Sequence, residues 1–323
     1  MGYGYYPGCS LSHTAQPYDQ STRAIAQAFD LAFDEIDDWN CCGATEYLAL
    51  NRTAAYALVG RNLALAAAQN GHTQLVAPCS ACYQNLRRTD YYMGKDPRLG
   101  AITNEALAAG GLSYAPGTLT VRHLFDVIYE DVGRQVIRQR VTRPLTGLRI
   151  APYYGCLMVR PGYDGEAGDD PEQPMKLDWL LQDLGAEVVP YSLKAHCCGG
   201  HMTQISAETA YGMIDHLLHT AAEHGADMLV TVCPMCQLNL DAYQPMVRRS
   251  LQRDYELPVL YFTQALGLAI GLAPAQLGIG REIVPAQPAL DKIGGEPVPK
   301  PVRKKRSRKG DPSLPMPRME SEA

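Results

Sequence analysis

The sequence predicts an α/β protein made of two homologous domains from an internal duplication, each a small parallel sheet flanked by helices. Three observations lead to this prediction. Cysteine motifs recur after roughly 150 residues, a spacing that fits a duplicated domain and is too long for a solenoid repeat. Short β-rich runs alternate with helical patterns in each copy. Of the 323 residues, 46% are hydrophobic, which is enough for real cores.

In the first copy, β-rich runs predict strands over residues 3–6, 33–36 and 74–77. Apolar residues at helical spacing predict a helix over 18–29, and an Ala/Leu-rich stretch predicts another over 48–68. Each strand is followed by a segment that carries cysteine. The first copy therefore predicts a sheet with cysteines at the carboxyl ends of its strands.

The second copy repeats this order. Strands are predicted over residues 148–154, 187–190 and 228–232, and helices over 175–184 and 207–224. Ligands of open parallel sheets bind beyond the carboxyl ends of the strands, where helix N-termini favour thiolates and anionic groups. We therefore expect one site in each domain.

The cysteines follow one pattern twice: a single cysteine, then Cys-Cys-Gly, then Cys-x-x-Cys. The two spacers have 31 and 36 residues in the first copy and 40 and 34 in the second, and the pattern uses all ten cysteines. The first set is Cys9, Cys41, Cys42, Cys79 and Cys82, and the second set is Cys156, Cys197, Cys198, Cys233 and Cys236.

The predicted domains are residues 1–143 and 144–285, with a boundary near Pro144, followed by a Pro-rich basic disordered tail over 286–323. From Val298 onwards, eight Lys and Arg residues face three acidic ones, whereas the whole chain carries a net charge of −5. Because the body is acidic and shows no nucleic-acid-binding signature, a solvated or partner-docking tail is favoured over one that binds nucleic acid.

The sequence predicts neither a secretory signal nor a membrane span, since no apolar run approaches the ~20 residues that a spanning helix needs. We expect a cytoplasmic protein in a reducing compartment, where thiols stay free or bind metal. Structural disulfides and a thioredoxin-type Cys-x-x-Cys are therefore disfavoured, the latter because it leaves three cysteines in each copy unused. Zinc bound by four thiolates and iron–sulfur clusters both remain open, including zinc in one site only.

At these motifs the sequence resembles the cysteine-rich CCG domain that occurs twice in the B-type subunits of the heterodisulfide reductase family. The resemblance covers about residues 3–282, and residues 260–267 look like the family's closing helix. It implies that the first and second cysteine sets each bind an unusual, non-cubane [4Fe-4S] cluster. A disulfide substrate would then be cleaved, or formed, between the clusters in two one-electron steps.

The resemblance further implies an oxidoreductase that works within a complex. Its partners would be a ferredoxin-like iron–sulfur subunit of the C type and a flavoprotein subunit of the A type. The alternative is a non-catalytic electron-transfer subunit with one cluster and one zinc site. Weaker candidates near the second site are His196 and His201, as hydrogen-bond donors to a cluster or substrate, and Lys194, as a cation for an anionic substrate. His13 is similar, whereas Tyr3, Tyr5, Tyr6, Tyr153 and Tyr154 are expected to pack in the core.

Overall fold

The computed structural model describes residues 2–44, 46–69, 71–163 and 168–295. It contains two four-stranded sheets in which all neighbouring strands are parallel, so the predicted α/β class with two duplicated sheets is confirmed. The strands are Gly2–Tyr5 (β1), Ala32–Glu35 (β2), Gln74–Ala77 (β3) and Thr120–His123 (β4) in the first sheet, and Arg149–Tyr153 (β5), Glu187–Val188 (β6), Met228–Thr231 (β7) and Val259–Tyr261 (β8) in the second.

The two sheets have the same strand order, β2-β1-β3-β4 and β6-β5-β7-β8. The fourth strand of each sheet, β4 or β8, was not predicted from the sequence. Residues 260–267 were expected to be helical throughout, which is wrong at their start because Leu260 and Tyr261 lie in β8. The helix starts at Phe262, where the backbone N–H of Tyr261 donates to Oε1 of Gln264 at 2.8 Å and caps the first turn.

Helices connect the strands and cover both sheets. The predicted helix over 48–68 is two helices in the structure, because Asn51 is extended and its side chain accepts a hydrogen bond from the backbone N–H of Ala54. The helices are Gly8–Ser12 (α1), Gln16–Ala28 (α2), Tyr47–Leu50 (α3), Arg52–Ala68 (α4), Ser80–Lys95 (α5), Pro97–Ala108 (α6), Leu124–Asp126 (α7), Arg134–Arg140 (α8), Cys156–Val159 (α9), Lys176–Asp183 (α10), Met202–Ile205 (α11), Ala207–Glu223 (α12), Pro234–Ala242 (α13), Gln244–Leu251 (α14), Phe262–Ala269 (α15) and Gln287–Leu290 (α16), with a π-helical segment at Val127–Gly133 and a 3₁₀ turn at Pro274–Leu277.

The central strands of each sheet are buried on both faces, and each face contributes to a core shared by the two halves. Leu75 of β3 and Leu229 of β7 belong to one core, whereas the next residues along these strands, Val76 and Val230, belong to the other. This follows from the period of two in a strand, which sends successive side chains to opposite faces. The halves are therefore packed together through two common cores.

The first long helix of each half packs against the other half. Tyr18 of α2 stacks on Tyr261 with ring centroids 4.2 Å apart, and Ser21 of α2 hydrogen-bonds Thr263 of α15 at 2.7 Å. In the reciprocal position, Asp183 of α10 forms an ion pair with Arg134 of α8 at 2.5 Å. Because α2 packs against the second half and α10 against the first, the carboxyl ends of the two sheets lie next to each other.

The beginning of the predicted disordered tail is ordered in the structure. Ala289 and Leu290 of α16 are buried, and the backbone N–H of Gly294 donates to the carbonyl of Thr146 at 2.8 Å. The prediction of disorder from residue 286 is thus wrong for residues 286–295, since apolar side chains there bury against the second half. The basic run lies outside the described residues. Within the ranges that are described, no helix is both long and apolar enough to cross a membrane.

Candidate metal centre

The cysteines lie where the sequence analysis predicts, beyond the carboxyl ends of three strands in each sheet. Because these strands are parallel, the segments that follow them meet at one edge. In the first half, Cys9 lies in α1, Cys41 and Cys42 lie in the loop between β2 and α3, Cys79 precedes α5 and Cys82 lies in its first turn. In the second half, Cys156 starts α9, Cys197 and Cys198 lie in the loop between β6 and α11, Cys233 precedes α13 and Cys236 lies in its first turn.

The thiols of the first set are in contact. Sγ of Cys9 lies 3.5 Å from Sγ of Cys41, and Sγ of Cys42 lies 3.3 Å from Sγ of Cys82. Cys42, Cys79 and Cys82 are buried, whereas Cys9 and Cys41 are exposed, and all of these thiols are free. The first set therefore has a buried side and an edge that is open to solvent.

The second set has the same arrangement. Sγ of Cys198 lies 3.5 Å from Sγ of Cys236, and the neighbouring thiol of Cys197 raises the pKa of Cys156. Cys198, Cys233 and Cys236 are buried, Cys156 is half-buried and Cys197 is exposed. The predicted grouping of five thiols thus occurs in both halves.

The two sets adjoin each other at Cys79 and Cys233, whose thiols lie close enough across the boundary between the halves for Cys233 to raise the pKa of Cys79 well above its usual value. Each of these cysteines is the N-cap of the helix that follows it, α5 or α13. The hydroxyl of Tyr18 in the first half donates to the carbonyl of Val232, next to Cys233, at 3.0 Å. The ten thiols therefore form one continuous group.

One thiol at the exposed edge of each set favours the thiolate. Hydrogen bonds from Cys42 and then Cys9 hold the pKa of Cys41 well below its usual value. A hydrogen bond from Cys156 lowers the pKa of Cys197 to about 6, with a further contribution from the nearby charge of Arg160. Because cysteine binds metal as its thiolate, Cys41 and Cys197 are suited to serve as metal ligands.

Two equivalent glycines leave room for the thiols. Gly8 has φ +72° and Gly155 has φ +71°, in the left-handed region that favours glycine. A Cβ atom at either position would lie 2.9 Å from a thiol sulfur, that of Cys82 or that of Cys236. The backbone before the first cysteine of each set therefore passes close to the last cysteine of the same set.

Two tyrosines predicted as core residues also hold the Cys-Cys-Gly loops, which we define as residues 36–44 with Glu46 in the first half and residues 189–201 in the second. The hydroxyl of Tyr6 donates to the carbonyl of Asn40 at 2.7 Å, and the hydroxyl of Tyr153 donates to the carbonyl of His196, also at 2.7 Å. Each accepting residue directly precedes the cysteine pair. Both tyrosine rings are buried as expected, and their hydroxyls position the loops.

Two asparagines that the sequence analysis missed hold the same loops from the other side. The side-chain amide of Asn85 donates to the carbonyl of Cys42 at 3.2 Å, and that of Asn239 donates to the carbonyl of Cys198 at 3.1 Å. Both lie three residues after the final cysteine of their set. This shared offset is the sequence signal that could have identified them.

The weaker candidates of the second site have different roles. Lys194 is buried and its Nζ pairs with Oδ1 of Asp178 at 3.0 Å, so the prediction that it attracts a substrate is wrong. The carboxylate of Asp178 compensates the positive charge of Lys194 inside the protein. The side chain of His196 is exposed next to Cys197, whereas Nδ1 of His201 pairs with Oε2 of Glu46, in the first Cys-Cys-Gly loop, at 2.8 Å.

Arg160 is the cation that lies near the second set. Its guanidinium donates to the carbonyl of Ala195 and pairs with Glu172 at 3.0 Å. It lies four residues after Cys156, the offset at which His13 follows the first cysteine of the first set. His13 remains beside its own helix, with Nδ1 3.3 Å from the carbonyl of Cys9. Of these two equivalent positions, the one in the second half therefore carries a permanent cation, Arg160, and the one in the first half carries a histidine.

The donors fit a sulfur-ligated metal group. All ten are soft thiols, which favour iron–sulfur clusters or zinc over hard cations. In the part of the chain that the structure describes, no three cysteine, histidine or carboxylate side chains are grouped so that one metal ion could be held by them. In an iron–sulfur cluster, different thiolates bind different iron atoms. Thiols that neighbour one another without surrounding a single point therefore fit a cluster of this kind.

Comparison with known proteins gives the same division of the chain. The family described as "CCG: Cysteine-rich domain" matches residues 3–87 and again residues 150–241. The 8-methylmenaquinol:fumarate reductase membrane anchor subunit of Wolinella succinogenes is 32% identical over 284 residues, which are 88% of this chain and 97% of that protein. The B-type subunit of the Ferredoxin:CoB-CoM heterodisulfide reductase of Methanosarcina mazei is 31% identical over 289 residues, 88% of this chain and 95% of that protein.

A solved structure shares the fold. The crystal structure of a hypothetical protein from Helicobacter pylori superposes with a TM-score of 0.69, at 13% identity, over 88% of this chain and 52% of that one. At this identity the likeness concerns the arrangement of helices and strands alone.

Proposed function

The chain belongs to the heterodisulfide reductase family of B-type subunits, with its duplicated cysteine-rich CCG domain, and from this premise we propose that it is an iron–sulfur redox subunit of a multi-subunit oxidoreductase. In the full proposal it is the catalytic subunit, which cleaves or forms a disulfide in two one-electron steps. The observation that carries the proposal is the meeting of the two five-thiol sets at Cys79 and Cys233. A substrate with two linked sulfurs suits two adjoining sites.

The first and second cysteine sets, as defined above, would each hold one non-cubane [4Fe-4S] cluster. When bound, each cluster supplies one electron to the reaction. The chain's own part is to present five thiolates at a sheet edge and to hold the two Cys-Cys-Gly loops in place. Tyr6 and Tyr153 do this from one side and Asn85 and Asn239 from the other.

A substrate would approach the edge that each set opens to solvent. Cys9 and Cys41 mark this edge in the first set, and Cys197 with half-buried Cys156 in the second. Reduction of a disulfide to two thiols takes two electrons and two protons. The exposed ring of His196, next to Cys197, lies where it could pass a proton to a leaving thiolate.

The electrons would come from a ferredoxin-like iron–sulfur subunit of the C type, itself supplied by a flavoprotein subunit of the A type. The name of the Methanosarcina mazei relative, which joins ferredoxin to a heterodisulfide, supports an electron carrier of this kind.

A second candidate function is electron transfer without chemistry on a disulfide, with one cluster and one zinc site. The similarity to the Wolinella succinogenes protein favours it, because the name of that relative describes a fumarate reductase that uses a quinol. The presence of five thiols in each half, by contrast, supports the first proposal, in which both sites hold the same kind of centre.

Metal and sulfide analysis of anaerobically purified protein, combined with EPR spectroscopy, tests the proposal. Two four-iron clusters require about eight irons and about eight sulfides per chain. About half that iron together with one zinc would support the second candidate, and protein without iron would contradict both. Cys42→Ala and Cys198→Ala should each abolish disulfide turnover while the circular dichroism of the fold is kept, and full turnover in both variants would contradict the catalytic role.

A further inference from the structure

The exposed edge of the first cysteine set carries two thiols that touch each other. Sγ of Cys9 lies 3.5 Å from Sγ of Cys41, and both residues are exposed to solvent. Sulfur atoms at this separation are in van der Waals contact, whereas bonded sulfurs lie about 2.05 Å apart, so a small side-chain rotation is enough to join them. The pair is therefore placed for disulfide exchange with molecules from solution.

Hydrogen bonds hold the two backbone segments of this pair together. The hydroxyl of Tyr6, three residues before Cys9, donates at 2.7 Å to the carbonyl of Asn40, which directly precedes Cys41. The backbone N–H of Asn40 donates to Oδ1 of Asn62 at 2.9 Å, and Nδ2 of Asn40 donates to the carbonyl of Cys41 at 3.0 Å. The approach of the two thiols is thus fixed by partners other than the thiols themselves.

Two other thiol pairs are as close but are buried. Sγ of Cys42 lies 3.3 Å from Sγ of Cys82 in the first set, and Sγ of Cys198 lies 3.5 Å from Sγ of Cys236 in the second. Each of these four cysteines is at most 6% exposed. Thiol–disulfide exchange requires a sulfur of the incoming disulfide to reach the attacking thiolate. Distance does not separate the three pairs, and access to solvent does.

We propose that Cys9 and Cys41 are a disulfide-exchange site, at which a small disulfide R–S–S–R oxidises the pair when no cluster occupies the first set. One thiolate of the pair attacks a sulfur of the small disulfide, so that a mixed disulfide forms and one R–S⁻ leaves. The second thiolate then attacks the protein sulfur of the mixed disulfide, and the second R–S⁻ leaves. In total the Cys9–Cys41 bond forms and the R–S–S–R bond breaks. Two electrons pass to the small disulfide, and the two thiol protons end on two R–SH molecules.

The oxidant of this reaction belongs to the same chemical class as the proposed substrate. Protection of the pair by a cluster rests on the proposed function, in which both thiols are cluster ligands and are therefore engaged by iron. A chain without its cluster would be oxidised once by the kind of molecule that the loaded enzyme turns over repeatedly. Oxidation and protection can be measured in separate samples.

Peptide mapping without reductant detects the bond directly. Full-length protein is stripped of metal and reduced, the reductant is removed anaerobically, and oxidised glutathione is added as the small disulfide. Trypsin releases Cys9 on residues 1–23 and Cys41 together with Cys42 on residues 24–52, so a link between these two peptides reports the bond. We expect this link in metal-free wild type, with two glutathione thiols released for each link, and we expect no link in iron-loaded protein.

Matched variants identify which cysteine joins Cys9. Cys41→Ser and Cys42→Ser each remove one thiol of the same Cys-Cys pair, so they disturb the first set in similar ways. Cys42→Ser should keep the link, and Cys41→Ser should lose it. Tyr6→Phe removes the hydrogen bond between the two segments and should slow the formation of the link several-fold. Tyr153→Phe, the equivalent change in the second half, should leave the rate unchanged.

Any of three results would contradict the exchange site. These are no link in metal-free wild type, equal linking in Cys41→Ser and Cys42→Ser, or links that join the ten cysteines at random. Random links would show that the contact is not kept before a cluster is bound, and circular dichroism would show whether the fold is lost as well. A link that forms equally in iron-loaded protein would instead contradict the ligand role of Cys9 and Cys41 in the proposed function. The two failures appear in different samples and are therefore distinguishable.

Discussion

Glu46 and His201 join the two Cys-Cys-Gly loops, with Oε2 of the carboxylate 2.8 Å from Nδ1 of the imidazole. Both side chains are partly exposed, and each lies a few residues after the cysteine pair of its own half. The contact therefore links two loops that are far apart in the sequence and that carry equivalent thiols. It spans the boundary between the halves near the open edges of both sets.

Breaking this pair should loosen the loops without destabilising the fold. A partly exposed ion pair contributes only about 0–1 kcal/mol, so Glu46→Gln should change the free energy of unfolding by less than about 1 kcal/mol. The exposed thiols Cys41 and Cys197 should nevertheless react faster with iodoacetamide in metal-free protein, as measured by mass spectrometry of the modified peptides. The control is Glu223→Gln, which removes an exposed histidine–carboxylate pair with His219 elsewhere on the chain. Equal alkylation rates in the two variants would show that the Glu46–His201 contact does not restrain the loops.

Adding a methyl group at Gly155 should disturb the second set. An alanine there must adopt φ near +71° and would place Cβ 2.9 Å from Sγ of Cys236. The left-handed backbone alone costs roughly 1–2 kcal/mol. Gly155→Ala should therefore lower the unfolding free energy by at least that amount and reduce the iron content. Gly212→Ala, in α12 with open space around the new Cβ, should instead stabilise the chain by about 0.5–1 kcal/mol and keep all the iron. Iron content that is the same in both variants would contradict the close approach at Gly155.

Neighbouring tyrosines of the second half offer a matched pair. Tyr153→Phe removes the hydroxyl that holds the carbonyl of His196, and Tyr154→Phe removes one that bonds Asp178 at 2.8 Å, in the core. The loss at Tyr153 should cost about 1 kcal/mol of unfolding free energy, and the loss at Tyr154 should cost more, because its hydroxyl also accepts a hydrogen bond from the buried N–H of Leu177 at 2.7 Å. Only Tyr153→Phe should speed the release of iron to a chelator, followed by absorbance under anaerobic conditions. If Tyr154→Phe releases iron equally fast, the hydroxyl of Tyr153 has no special role in holding its loop.

His123 should make the stability of the protein depend on pH. It is completely buried, burial lowers its pKa to about 4, and its Nδ1 accepts a hydrogen bond from the N–H of Phe125. Below about pH 6.5 the unfolded chain binds a proton that the folded chain does not, so stability is lost as pH falls from about 6.5 to about 4. Between pH 7 and pH 5 this loss is about 2 kcal/mol.

The variant His123→Asn keeps an acceptor for the Phe125 N–H and removes the titrating ring. It should lose less stability than the wild type between pH 7 and pH 5 in urea unfolding, with both proteins in the same metal state. Burial raises the pKa of Asp126 to about 6, which acts in the opposite direction, and because Asp126 is present in both proteins it cancels in the comparison. Equal losses in the two proteins would contradict a neutral buried histidine.

Local pattern predicted much of the fold. Strands β1, β3, β5 and β7 lie close to their predicted positions, because β-rich segments between turn residues are a local property of the chain. Strand β8 was missed because three apolar residues that run directly into a helix have no periodicity of their own. The order of residues 286–295 was also missed, since it depends on a surface of the second half that α16 covers.

The sequence by itself determined which ten residues form the candidate site and that they divide into two sets of five. It could do so because the duplicated spacing is written along the chain and parallel strands bring their carboxyl ends to one edge. Only the tertiary structure decided that Cys79 meets Cys233, that Lys194 is neutralised by Asp178 and that Arg160 is the cation beside the second set. These contacts join residues that are distant in the chain, so they depend on how the two halves pack and on which side chains that packing buries.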